Sequence, residues 1–128
     1  MMKNLLFYFL IVSYMFGMQI EDDSSFKLIY QQKQNSDKIV LMLYSAKTCP
    51  QCAYMKEKVF KDEEVKKFMD RNFVILEKDI NKDDLPNKFE YFGIPTMFFI
   101  DKNGKQIAKI IGSSRAKSFL EQLKKVGK

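Results

Sequence analysis

Apolar residues come in short blocks whose spacing changes along the chain. Residues 5–18 are apolar almost throughout, follow Lys3, and end in the acidic, serine-containing stretch Glu21–Ser25. A run of 14 positions is short against the roughly 20 that a helix needs to cross a bilayer. A cation, an apolar stretch and a polar exit are the layout of a secretory signal. We expect residues 1–17 to be a signal peptide cleaved after Gly17, with 18–128 as the mature domain, although no A-x-A site is present. An uncleaved membrane anchor is the alternative. A buried helix of the fold fits less well, because apolar residues surround the whole circumference. With no cysteine after the run, a lipoprotein anchor is not expected.

Beyond this leader, Phe26, Ile29 and Tyr30 fall on one face of a short helix that Ser24 or Ser25 caps. Ile39–Tyr44 is apolar throughout between polar flanks, the pattern of a strand covered on both faces. Thr48 then stands as a helix cap, Pro50 suits the first turn, and Cys52, Met55 and Val59 repeat at helical spacing. Asp62 starts a further helix, with Val65, Phe68 and Met69 inward and two acids in its first turn. Residues 72–78 read as a second buried strand, and 81–92 as a short helix with Leu85, Phe89 and Phe92 on one side. A strand opens at Gly93 and Pro95, Asp101–Gly104 turn the chain, and Lys105–Ile111 alternate as the partner strand. A last helix from Ser113 or Ser114 turns Phe119, Leu120, Leu123 and Val126 inward. The order α-β-α-β-α-β-β-α predicts an α/β fold with a mixed sheet of about four strands, parallel wherever a helix intervenes and antiparallel in the final hairpin.

At 128 residues and 46% hydrophobic content the chain has the material for one domain with one core. The formal charge of +6 is spread over lysines in every element. No basic stripe interleaves with aromatics, so a nucleic-acid partner is not expected, and the charge supports only a weak preference for acidic partners. Membrane contact is expected only if the leader stays attached. Met42, Met55, Met69 and Met97 sit at core-facing positions and read as packing rather than a copper site.

Both cysteines stand in one short stretch, Thr48-Cys49-Pro50-Gln51-Cys52. A staple between neighbours gives only about 2 kcal/mol by loop-closure entropy, against about 4.7 for a loop of a hundred residues. A closed zinc site wants four N or S ligands, and the chain has two Cys and no His. A working redox pair has a mechanism at this spacing. At a helix N-terminus the free N–H groups and the dipole stabilise a thiolate, lowering Cys49 from about 8.5 to about 7 or below. Cys49 then attacks a partner disulfide, and Cys52, one turn further in, resolves the mixed disulfide.

With Cys49–Cys52 after a buried strand and Gly93-Ile94-Pro95-Thr96 opening a later one, the chain resembles the thioredoxin family, and in particular exported bacterial thiol:disulfide interchange proteins. The resemblance covers about Phe26 to Gly127 and implies the thioredoxin fold. It implies that Pro95 is cis and lies against the cysteines, that the Ile94 backbone pairs with a bound peptide, and that Pro50 and Gln51 line the same site. Three departures stand out. Thr48 replaces the tryptophan that commonly precedes the first cysteine, Leu43 replaces the buried acid six residues before it, and Gln51 replaces the histidine of strong oxidants. Without that acid, Glu77 is the candidate for taking the Cys52 proton, with an exposed strand-end carboxylate as its other reading.

The resemblance implies a periplasmic or otherwise exported thiol–disulfide oxidoreductase acting on protein disulfides or dithiols, expected as a monomer and with no bound cofactor. Reduction is the expected direction, which calls for an exported or membrane thiol donor of electrons. A disulfide oxidase or isomerase is one alternative. A binding module with a static disulfide is the other.

Overall fold

The computed structural model describes residues 38–127; the expected signal peptide and the helix expected near residues 24–37 lie outside the described residues. Strand β1 (Ile39–Ser45) is buried at every position after its first, so its unbroken apolar run has a covered face on each side. It pairs in parallel with β2 (Phe73–Asp79) and antiparallel with β3 (Thr96–Ile100), which pairs antiparallel with β4 (Gln106–Ile111). The sheet order is β2-β1-β3-β4.

Side-chain alternation splits the core in two. On one face Leu41, Leu43, Met97 and Phe99 meet the helices through Met55, Val59 and Phe119. On the other, Met42, Tyr44 and Phe98 pack with Phe89, Leu85 and Ile94 from the connection between β2 and β3. Each of the four methionines is at most 2% exposed, as packing residues should be.

Helix α1 (Pro50–Tyr54) continues directly into a π-helical turn, Met55–Val59, closed by the Phe60 N–H donating to the Met55 carbonyl at 2.8 Å. Asp62 caps α2 (Glu63–Asn72) as expected, its Oδ1 accepting from the Val65 N–H at 3.2 Å. Helix α3 (Ala116–Val126) buries Phe119, Leu120 and Leu123.

Three local expectations change. Residues 81–92 make turns rather than a helix, because Pro86 has no N–H to donate and disfavours helical backbone at Leu85. Leu85 and Phe89 still reach the core, but Phe92 is 92% exposed. Helix α3 starts later than Ser113 or Ser114, since the chain stays extended through Arg115 at ψ 157°. Finally, β3 runs antiparallel to β1 although a long connection precedes it. With no crossover helix in residues 80–95, that connection leaves β2 and enters β3 at one end of the sheet.

Candidate active site

That end of the sheet is where β1 stops and the cysteine loop begins. Ser45 closes β1, the Cys49 N–H donates to the Ala46 carbonyl at 3.3 Å, and the chain turns into α1. The residue at the helix cap is Cys49 rather than the expected Thr48: its Sγ accepts the Cys52 N–H at 3.1 Å, with Pro50 in the first turn where a missing N–H costs nothing. A sulfur in the capping position is thereby held against the unpaired amide end of the helix.

Cys49 and Cys52 form a disulfide with their Cα atoms 5.2 Å apart. The two sulfurs differ in access. Cys49 is half-buried, whereas Cys52 is 0% exposed. Pro50 and Gln51 are exposed between them.

Because Thr96 pairs with Tyr44, the start of β3 lies beside the end of β1. The Ile94–Pro95 peptide bond there is cis. The Thr96 hydroxyl donates to the Gly93 carbonyl at 2.6 Å, and the Gly112 N–H donates to the Pro95 carbonyl at 2.8 Å. Ile94 is half-buried and Pro95 buried. Gly112 holds φ +85°, a left-handed value that glycine adopts without a Cβ clash.

Glu77 pairs in register with Leu43 and, by alternation from Phe73, faces the helices. Its Oε1 accepts from Ser45 Oγ at 2.8 Å and from Lys56 Nζ at 2.7 Å. It therefore ties the residue that ends β1 to a residue one turn beyond Cys52. Partial burial alone would raise its pKa; the hydrogen bonds from Lys56 and Ser45 and the Lys56 charge outweigh that and hold the carboxyl below its ordinary value. Ser45 and Lys56 were not picked out from the sequence. Their signals were slight: a hydroxyl ending an apolar strand, and a cation four residues after Cys52. Tyr44 is buried with its ring edge-on to Tyr91 at 5.2 Å, while Tyr54 is 41% exposed.

Residues 26–127 match the family model of the thioredoxin-like domain. Among curated proteins the chain is 26% identical over 105 residues to the thiol:disulfide interchange protein DsbD of Campylobacter jejuni, covering 78% of this chain and 18% of that one. It is 32% identical over 90 residues to protein disulfide-isomerase A3 of Gallus gallus, covering 70% and 18% respectively. The chain thus spans less than a fifth of the length of these curated relatives. Among solved structures it resembles the oxidised C-terminal domain of Neisseria meningitidis DsbD, with TM-score 0.62 and 22% identity over 77% of this chain and 90% of that one. A thioredoxin from Thermus thermophilus gives TM-score 0.65 and 24% identity over 75% and 78%. With its mixed four-stranded sheet, its Cys49–Cys52 disulfide at the start of α1 and a family match over 26–127, the chain belongs to the thioredoxin-like family.

Proposed function

We propose that the chain is an exported thiol–disulfide oxidoreductase that reduces protein disulfides in the periplasm or an equivalent compartment. The observation that carries this reading is the inequality of the two sulfurs: Cys49 caps the helix and accepts an N–H, while Cys52 is fully buried behind it. In the reduced protein the Cys49 thiolate attacks a client disulfide, and one client sulfur leaves as a thiolate. Cys52 loses its proton and attacks Cys49 Sγ, releasing the second client sulfur. The pair passes two electrons to the client and is left as the disulfide. A thiol donor, exported or in the membrane, restores the dithiol. Pro50, Gln51, Ile94 and Pro95 form the client site around the sulfurs.

We assign Glu77 to anchoring the loop. A carboxylate engaged by both Lys56 and Ser45, and held below its ordinary pKa, is a weak base for the Cys52 proton. Water is the simpler acceptor. The names of the curated relatives keep an isomerase in view as the second reading.

Cys52→Ser tests the cycle, because it removes the resolving thiol and should accumulate mixed disulfides between Cys49 and client proteins. A binding module with a static disulfide would trap none. The reduction potential then sets direction: a value near about −270 mV fits a reductase, and one near about −120 mV an oxidant.

A further inference from the structure

Most large apolar side chains of the described residues are covered, and Phe92 is the sharpest exception at 92% exposed. Contiguous apolar surface, rather than a lone exposed ring, marks a contact site, so the neighbours of Phe92 decide its meaning. Its ring lies 5.7 Å from Lys109 Nζ, which also sits over the Phe98 ring and donates to the Glu90 carbonyl at 2.8 Å. Lys109 is thereby held against this ring instead of sweeping freely through solvent. On β4, Lys109 and Ile111 share one face by alternation, and Ile111 is 61% exposed. The row ends at the redox site: Ile111 pairs with Thr96, and the Gly112 N–H holds the Pro95 carbonyl.

Cations outnumber carboxylates along this row. Residues 101–117, which comprise the β3–β4 turn, β4 and the start of α3, contain five cations and one carboxylate, Asp101, and Glu90 is the carboxylate nearest to Phe92 along the chain. An apolar anchor with a cationic border fits a segment that brings an apolar side chain and acidic neighbours.

We propose that Phe92, Lys109 and Ile111 form a docking surface for the client polypeptide beside its reacting sulfur, selecting clients with an apolar residue flanked by acids. This rests on the redox reading and adds a substrate class to it. An apolar side chain on Phe92 and Ile111 removes exposed hydrocarbon from water, while Lys109 attracts the acids.

The test uses the oxidised full chain and three synthetic single-cysteine peptides of about ten residues. One carries leucine with aspartates, one leucine with lysines and one serine with aspartates. The peptide thiolate attacks Cys49 Sγ, the Cys49–Cys52 bond breaks and Cys52 leaves as a thiolate that takes a proton from water; one disulfide and one thiol become a mixed disulfide and a thiol. Thiol released by Cys52 is read by acid quench, alkylation and mass spectrometry, with each rate taken relative to that of glutathione. The leucine–aspartate peptide should exceed each of the others by about tenfold, the scale of one apolar or charge contact. Salt at about 0.5 M should shrink the charge preference. Phe92→Ser should abolish the preference for leucine, and Lys109→Glu should turn the preference for aspartates into one for lysines.

Equal rates for the three peptides, or a Phe92→Ser protein that retains the leucine preference, would overturn the docking surface while leaving the redox reading in place. So would a dimer of the wild-type chain in sedimentation that Phe92→Ser dissolves, since a second copy would then occupy the patch. A disulfide that resists glutathione and dithiothreitol as well would overturn the redox reading, and the client site with it.

Discussion

Replacing Glu77 by alanine removes two hydrogen bonds from the strand that flanks the redox loop, and their contributions differ. The Lys56 pair is partly exposed, with 37% and 46% of the two side chains open to solvent, so screening leaves it about 0.5 kcal/mol. Ser45 is 2% exposed, and stranding its hydroxyl without this acceptor costs about 1 to 2 kcal/mol. Glu77→Ala should therefore destabilise the fold by about 1.5 to 2.5 kcal/mol, or roughly 6–20 °C of melting temperature at about 4–8 °C per kcal/mol. Glu77→Gln keeps an acceptor for Ser45 and should lose about 0.5 to 1 kcal/mol. The pH dependence has a fixed sign. Glu77 titrates lower in the folded chain than its ordinary value of about 4.3, so its charged-state stabilisation is present above that value and fades as pH falls through the lower folded pKa. Urea titrations of wild type and Glu77→Gln at pH 7 should show the gap, and at pH about 3 it should shrink. A gap equally large at both pH values would refute the electrostatic assignment. Glu77→Ala matching wild type at pH 7 would refute the anchor itself.

Three further outcomes follow from burial and capping. Asp62→Ala removes the α2 cap and should cost about 1 kcal/mol by urea unfolding, with the reduction potential unaltered; a loss under about 0.3 kcal/mol would deny the cap a role. Phe99→Ala empties a site that is 0% exposed between strand and helices and should cost about 3 to 5 kcal/mol, whereas Phe92→Ser should change stability by less than about 0.5 kcal/mol. In the reduced protein iodoacetamide should label Cys49 before Cys52 by about tenfold or more, read by peptide mass spectrometry; equal labelling would contradict the buried position of Cys52.

The cysteine loop was legible because its determinants are local. An unbroken apolar strand, a CxxC, a proline fit for a first helical turn and helically spaced Met55 and Val59 all lie within about twenty residues of one another. Thr48 reads as the cap because side-chain oxygen is the usual cap acceptor; a sulfur acceptor on Cys49 is set by where the helix starts. Residues 81–92 misled because Leu85, Phe89 and Phe92 do recur at helical spacing, while Pro86 within that pattern breaks the backbone that would use it.

By itself the sequence determined the strands β1 to β4, the helix that follows the cysteines, the Asp62 cap and the α/β class, because each depends on periodicity or on neighbours within a turn. Tertiary structure decided what depends on which ends of the strands meet. The antiparallel entry of β3 brings Ile94 and Pro95 beside the end of β1, and the register of β2 against β1 places Glu77 on the helix side within reach of Ser45 and Lys56. It also left Phe92 in water. No local pattern encodes these facts: strand order and register are set by the balance of burial over the whole sheet, where a slip of one residue would turn Glu77 into the opposite core.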